Sequence, residues 1–252
     1  MKRLLIASVL LLAPAFVSAS GGAGLHLEKA DIDLADQESL QRGAKYFVGY
    51  CMGCHSLKYM RYNRMAEDLG LDEVQIRRDF IFDKETKPGD LMVSAMRPRD
   101  GEKWFGTQVP DLTLVTRWRD PDWVFTYLKG FYADESRPYG VNNAVFPDVG
   151  MPHVLAGHQG LQKAVYTETE GEHPGSLKGL ELMRPDNMSE EEHNQRVKEY
   201  DQMVRDLTNF LTYAGEPIKL ERRRLGFYVL GFLVILFGLA YLLKKEYWKD
   251  VH

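Results

Sequence analysis

The 252-residue sequence predicts a mainly α-helical domain with insertions, followed by one membrane-spanning helix near the C-terminus. Three observations carry this reading. Two stretches far apart in the chain repeat apolar residues three and four positions apart, the spacing of one helix face. The run Leu225 to Leu243 is 19 residues long and holds no charge. The composition, 27% charged and 44% hydrophobic, is that of an ordinary globular domain, which excludes collagen, coiled-coil and long disordered chains. The length fits one domain with insertions, or at most two.

The N-terminus reads as an export signal. Lys2 and Arg3 form a basic start, Leu4 to Val17 is nearly all apolar, and Val17-Ser18-Ala19 offers small residues for cleavage after Ala19. A first transmembrane helix is the competing reading, but the run is short and Pro14 interrupts it. Residues 1–19 are therefore expected to be removed, leaving residues 20–220 as an exported domain. Asp36 is placed to cap a helix whose apolar residues are Leu40, Ala44, Phe47 and Val48. Gly43 sits on that helix where another could cross closely. The second stripe is Tyr200, Val204, Leu207 and Leu211, widened by Phe210 and ended by Gly215 and Pro217. Plain core packing explains both stripes equally well.

The segment 225–243 just spans a hydrocarbon core of ~30 Å at 1.5 Å rise per residue. Arg222, Arg223 and Arg224 precede it, Lys244 and Lys245 follow, and Tyr228, Tyr241, Tyr247 and Trp248 suit the two interfaces. A buried core helix is the alternative, and a chain this size rarely builds one so uninterrupted. Both flanks are basic, so orientation follows from the signal: the domain lies outside and residues 244–252 form a cytoplasmic tail. The whole chain carries −4, while the signal and the segment after Leu220 are both net basic. The exported domain is thus more acidic than the whole, which favours basic protein partners and disfavours nucleic acid. No catalytic triad and no nucleotide-binding loop is apparent.

The only two cysteines, Cys51 and Cys54, lie in Cys51-Met52-Gly53-Cys54-His55. An exported protein would ordinarily pair two cysteines, but a two-residue gap makes a poor long-range staple. A thioredoxin-like motif lacks a βαβ setting here, and the adjacent His55 argues against it. Cys-x-x-Cys-His is the signature of covalent haem attachment. Two thiols on one turn can bond neighbouring vinyl groups on one porphyrin edge, and the next imidazole then reaches the iron. One motif implies one covalent haem c. A pair of terminal helices bracketing a haem loop is the class I cytochrome c plan.

A thioether sulfur is the usual sixth ligand in an electron carrier, because it favours the ferrous state. Met60 and Met65 lie too near the attachment loop to wrap over the far haem face, and Met52 lies inside it. Met183, Met188 and Met203 lie in a charged segment or on the last domain helix. Met92, Met96 and Met151 remain, with His153 and His158 as alternatives. Met151 is favoured, because Phe146-Pro147-Asp148-Val149-Gly150-Met151-Pro152 reads as a rigid non-regular loop. For the haem propionates, Arg117 and Arg119 follow Pro110-Asp111-Leu112-Thr113-Leu114. If that stretch is extended, the two arginines point the same way. A solvated arginine is as good a reading for either. Pro110 is placed with the cofactor-binding residues.

These residues together resemble the bacterial cytochrome c1 family, the haem c subunits of the cytochrome bc1 complex (ubiquinol:cytochrome c oxidoreductase). The resemblance covers essentially the whole mature chain. It rests on YCMGCHSLKYMRYNR, WFGTQVPDLTL and FPDVGMPHVL in that order, and on the single anchor followed by LLKKEYWKDVH. It implies His55 and Met151 as axial ligands, Cys51 and Cys54 as thioether attachments, and Arg119 rather than Arg117 as the propionate-binding arginine. It implies electron transfer from the Rieske iron–sulfur protein to a cytochrome c acceptor, an anchor packed on cytochrome b in the bacterial inner membrane, a haem domain in the periplasm, and a dimeric complex. Some relatives carry a further cysteine pair that this chain lacks. The charged, Gly-rich insert from about Gln159 to Asn194 is left without a role. Glu67, Asp68, Asp72 and Glu73, and separately Glu190, Glu191 and Glu192, are candidate docking clusters, though a plain solvated face is the better reading of each. A free membrane-tethered electron shuttle, and a haem sensor with an exchangeable sixth position, are the competing functions.

Overall fold

A computed structural model describes residues 26–167 and 177–250. The expected signal peptide, residues 1–19, and the last two residues of the expected tail lie outside the described residues. The first helix among the described residues is α1 (Gln37–Tyr46), which widens into a π-helical turn at Phe47–Cys51. Strand β1 (Leu57–Arg61), helices α2 (Tyr62–Leu69) and α3 (Glu73–Asp79), and strand β2 (Leu91–Met92) follow. Then come α4 (Pro98–Phe105), α5 (Val115–Trp118), α6 (Pro121–Lys129), the pair β3 (Phe131–Ala133) and β4 (Val141–Asn143), and α7 (Ala156–Gln159). The antiparallel pair β5 (Gln162–Tyr166) and β6 (Leu177–Leu182) precedes the two long helices, α8 (Glu190–Gly215) and α9 (Lys219–Tyr247). The fold is mainly α, as expected, and its described strands form three separate two-stranded sheets.

The Asp36 carboxylate accepts the Ser39 N–H at 3.0 Å and so caps α1. Helix α8 starts with a reciprocal capping box between Ser189 and Glu192, and the chain leaves it just before Pro217. It begins well upstream of the apolar stripe that predicts it. The two helices cross at Gly43. A Cβ added there would lie 2.1 Å from the Asp206 carbonyl oxygen and 2.7 Å from Phe210 Cβ, so only glycine permits this approach. Around the crossing, Leu40, Ala44 and Phe47 meet Val204, Leu207 and Phe210, all at most 2% exposed. The Phe47 and Phe210 rings lie 5.9 Å apart. Each fully buried side chain of this size contributes ~1.5–3 kcal/mol. The same packing fixes where α1 delivers Cys51.

The anchor is one continuous helix, longer at both ends than the apolar run 225–243. Its mean hydropathy is 2.3 over the best window, and none of that window is buried against the domain. Gly226, Gly231 and Gly238 each have nothing within 4 Å of an added Cβ. The insert has a definite contact. Gln162 Nε2 donates to the carbonyls of Lys129 (2.6 Å) and Phe131 (2.8 Å), and Gln159 Nε2 also reaches Lys129 O (2.9 Å). The β5–β6 pair thereby buttresses the end of α6.

Candidate haem cleft

The π-helical turn brings Cys51 and Cys54 onto one short stretch, and the His55 N–H closes on the Cys51 carbonyl at 2.8 Å. Cys51 is buried, and that burial pushes its thiol up to about 12. His55 Nδ1 hydrogen-bonds the Pro110 carbonyl oxygen at 2.8 Å. A carbonyl only accepts, so Nδ1 carries the proton and the Nε2 lone pair is left for a metal. Burial lowers the His55 pKa, against the opposing effect of the Pro110 bond, so the ring is neutral near pH 7.

The turn faces a solvent-open cleft with two adjoining lobes. Cys51, His55, Pro110 and Met151 line both lobes. Cys54 lines the first, with Tyr50, Phe105 and Val109; Arg119 lines the second, with Trp118, Trp123 and Tyr127. Apart from the ligand-type atoms, the walls are almost wholly apolar, as expected for a site that shelters a flat hydrophobic cofactor.

The loop that delivers Met151 is built from side-chain-to-backbone bonds. Asn143 Oδ1 accepts from Val145 N (2.9 Å) and Phe146 N (3.1 Å), and Asn142 Oδ1 accepts from Asp148 N (2.8 Å). Asp148 takes a left-handed conformation (φ 61°), held by Arg137 on both its carboxylate and its carbonyl. Gly150 passes so close to α4 that an added Cβ would lie 3.1 Å from Phe105 O. The alternatives to Met151 sit elsewhere. Met92 is fully buried in the α1–α8 core. His153 stacks on Phe131 at 4.7 Å, and burial lowers its pKa to about 4. His158 hydrogen-bonds Tyr50 at 2.7 Å. Neither histidine lines the cleft, and neither Met92 nor Met96 does.

The two arginines separate. The condition for a shared face is not met: Val115–Trp118 is a helical turn, in which Val115 N and Arg119 N close local bonds to Leu112 O and Val115 O. The arginines therefore do not share a face. Arg117 pairs with Glu216 outside the cleft, at 3.7 Å. Arg119 lies over the rings of Trp118 (4.4 Å) and Trp123 (4.7 Å), and its buried Nε has no hydrogen-bond partner among the described residues. A buried guanidinium nitrogen of this kind calls for an anionic acceptor.

Known proteins resemble the chain over its length. The family model for the Cytochrome C1 family matches residues 29–251. The chain belongs to the cytochrome c1 family. It is 61% identical to cytochrome c1 of Allochromatium vinosum over the full length of both chains. It is 26% identical to cytochrome c1 of Rhodospirillum rubrum, covering 99% of this chain and 97% of that one. It is also 48% identical to a Nitrosomonas europaea protein named ammonia monooxygenase gamma subunit, covering 100% and 98%. Membership means that the chain carries covalently bound haem c, works as an electron carrier, and is a membrane-anchored subunit of the bc1 complex.

The residues present fit that group: paired thiols, a neutral imidazole with Nε2 open, a thioether in the same cleft, and the Arg119 nitrogen lacking an acceptor. All six sequence-predicted residues, Cys51, Cys54, His55, Pro110, Arg119 and Met151, come together here. Sequence reasoning missed Trp123 and Tyr127. Their i, i+4 spacing on a helix begun by Asp120-Pro121 is the local signal that puts both rings on one face.

Proposed function

We propose that the chain takes electrons singly from the Rieske iron–sulfur protein and passes them to a cytochrome c during ubiquinol oxidation. Cys51 and Cys54 would hold the haem by thioether bonds and His55 and Met151 would ligate its iron, on the periplasmic side of a bacterial inner membrane. The observation that carries this reading is the pairing of His55, its Nδ1 fixed by Pro110 O, with Met151 in one apolar cleft. When bound, the haem supplies one-electron exchange between Fe(III) and Fe(II).

The chain's residues set the terms of that exchange. The Met151 thioether favours the ferrous state, and the apolar walls keep water away. Pro110 holds the His55 ring in one tautomer and orientation. Arg119 offers its unpaired Nε to a propionate. The candidate acidic clusters have local duties: Asp68 binds Arg64 and Tyr213, Asp72 caps α3, Glu73 pairs with Arg77, and Glu190 to Glu192 form the first turn of α8. None lines the cleft. The cleft surroundings are instead aromatic and apolar, with Tyr50, Trp118, Phe146 and Val154 exposed. We assign close partner contact to this apolar edge and long-range steering to the acidic domain as a whole. The open notches at Gly226, Gly231 and Gly238 favour an anchor packed on cytochrome b over a free tether.

Rapid mixing of the purified complex with ubiquinol tests the route. The Rieske cluster and the c-type haem should be reduced together ahead of added cytochrome c, and removing the Rieske protein should abolish haem c reduction. Haem c reduction at an undiminished rate without the Rieske protein would refute it.

A further inference from the structure

We propose that Tyr127 is a positioning residue for Met151: its hydroxyl donates to the Met151 sulfur, fixes which lone pair faces the metal, and raises the reduction potential. This rests on the reading of Met151 as the sixth ligand. The Tyr127 hydroxyl lies 3.4 Å from Met151 Sδ, its one hydrogen-bond partner among the described residues. The ring has little freedom. It stacks on Trp123 (centroids 5.1 Å, 11°) and meets Phe131 edge-on (5.3 Å, 71°). Its carbonyl accepts the Asn143 side-chain amide at 2.8 Å, and Asn143 also pins the start of the methionine loop. One asparagine thus sets the distance between donor and acceptor.

A thioether sulfur is a weak acceptor with two lone pairs. One serves the metal, and the hydroxyl takes the other. A donated hydrogen bond draws density from the sulfur and points the positive end of the O–H dipole at the site. Both effects disfavour Fe(III) more than Fe(II), which is how hydrogen bonds around a ligand tune a metal. Sulfur also accepts from Tyr62 at Met52, but Met52 lies inside the attachment loop and is not a candidate ligand.

Tyr127→Phe keeps the ring and removes only the hydroxyl. The test is a redox titration of haem c in the intact purified complex, beside the near-infrared sulfur-to-iron band of the ferric form. The expected result is normal haem content, a retained band and a lower potential. The ferrous-to-ferric ratio should fall roughly threefold at fixed mediator potential, about 28 mV for a one-electron couple. Loss of the band in the variant alone, with haem content and assembly intact, also supports a positioning role. An unchanged potential with the band retained overturns the proposal. Absence of the band from the unaltered protein overturns the Met151 ligation itself, and this inference with it.

Discussion

Asp206 is fully buried beneath the α1–α8 crossing, and Arg42 reaches it with two hydrogen bonds of 2.7 and 3.0 Å. Only the carboxylate is buried (Asp206 side chain 1% exposed, Arg42 41%), so removing Arg42 leaves a buried charge short of donors, a larger loss than the pair's own net contribution. Arg42→Ala should therefore destabilise the domain by about 3 kcal/mol in denaturant unfolding. A loss below ~0.5 kcal/mol would mean that Gln202, the other donor to Asp206, suffices. At the cleft, Met151→Ala should leave covalent haem in place, open the sixth position to carbon monoxide and lower the potential. An unchanged spectrum would point to a different ligand. At this scale the cysteines and His55 are legible in the sequence because contiguous residues perform the attachment. Met151 is legible by elimination and by its Pro- and Gly-bounded loop. Tyr127 is not, because its contact with Met151 spans two elements and a loop whose shape Asn142 and Asn143 impose. Arg119 was separable from Arg117 only through the family resemblance. The physical reason, a helical turn that sends Arg117 to Glu216, required the fold.

Helices were legible in proportion to their periodicity. The stripes on α1 and α8 and the apolar run of α9 each extend over several turns, so local spacing suffices to reveal them. The two- to six-residue strands carry no such signal, and tertiary contacts such as Gln162 with Lys129 and Phe131 place the β5–β6 pair. The α1–α8 crossing yields a sharp expectation. Gly43→Ala would push a methyl into the Asp206 backbone and should destabilise by about 3 kcal/mol, read as a lower denaturation midpoint and poorer haem incorporation. A near-neutral substitution would mean the helices can part without disturbing the cleft. The α6–α8 contact is sensitive to acid. Burial tends to raise the pKa of Asp201, but Lys129 and Arg205 outweigh that and hold it below its ordinary 3.8. A depressed carboxylate stabilises the fold above its unfolded pKa, and that stabilisation is lost as pH falls through and below about 4. Asp201→Asn should thus cost about 1 kcal/mol near neutrality and flatten the acid side of a melting-temperature profile. Equal losses at pH 7 and pH 3 would contradict the assignment.

Among the described residues, α1 and α8 cross beside the attachment turn, and Pro217 joins α8 to an anchor helix that none of the described residues cover. An anchor with open glycine notches suits a helix packed among others, as expected for a subunit of the bc1 complex. The most direct measurement is extraction in a mild detergent through a C-terminal tag, with an optical and EPR inventory of what accompanies the chain. The account predicts one c-type haem together with b-type haem and a Rieske iron–sulfur signal, and ubiquinol:cytochrome c oxidoreductase activity. Recovery of the c-type haem alone, under conditions that keep other such complexes intact, would contradict it.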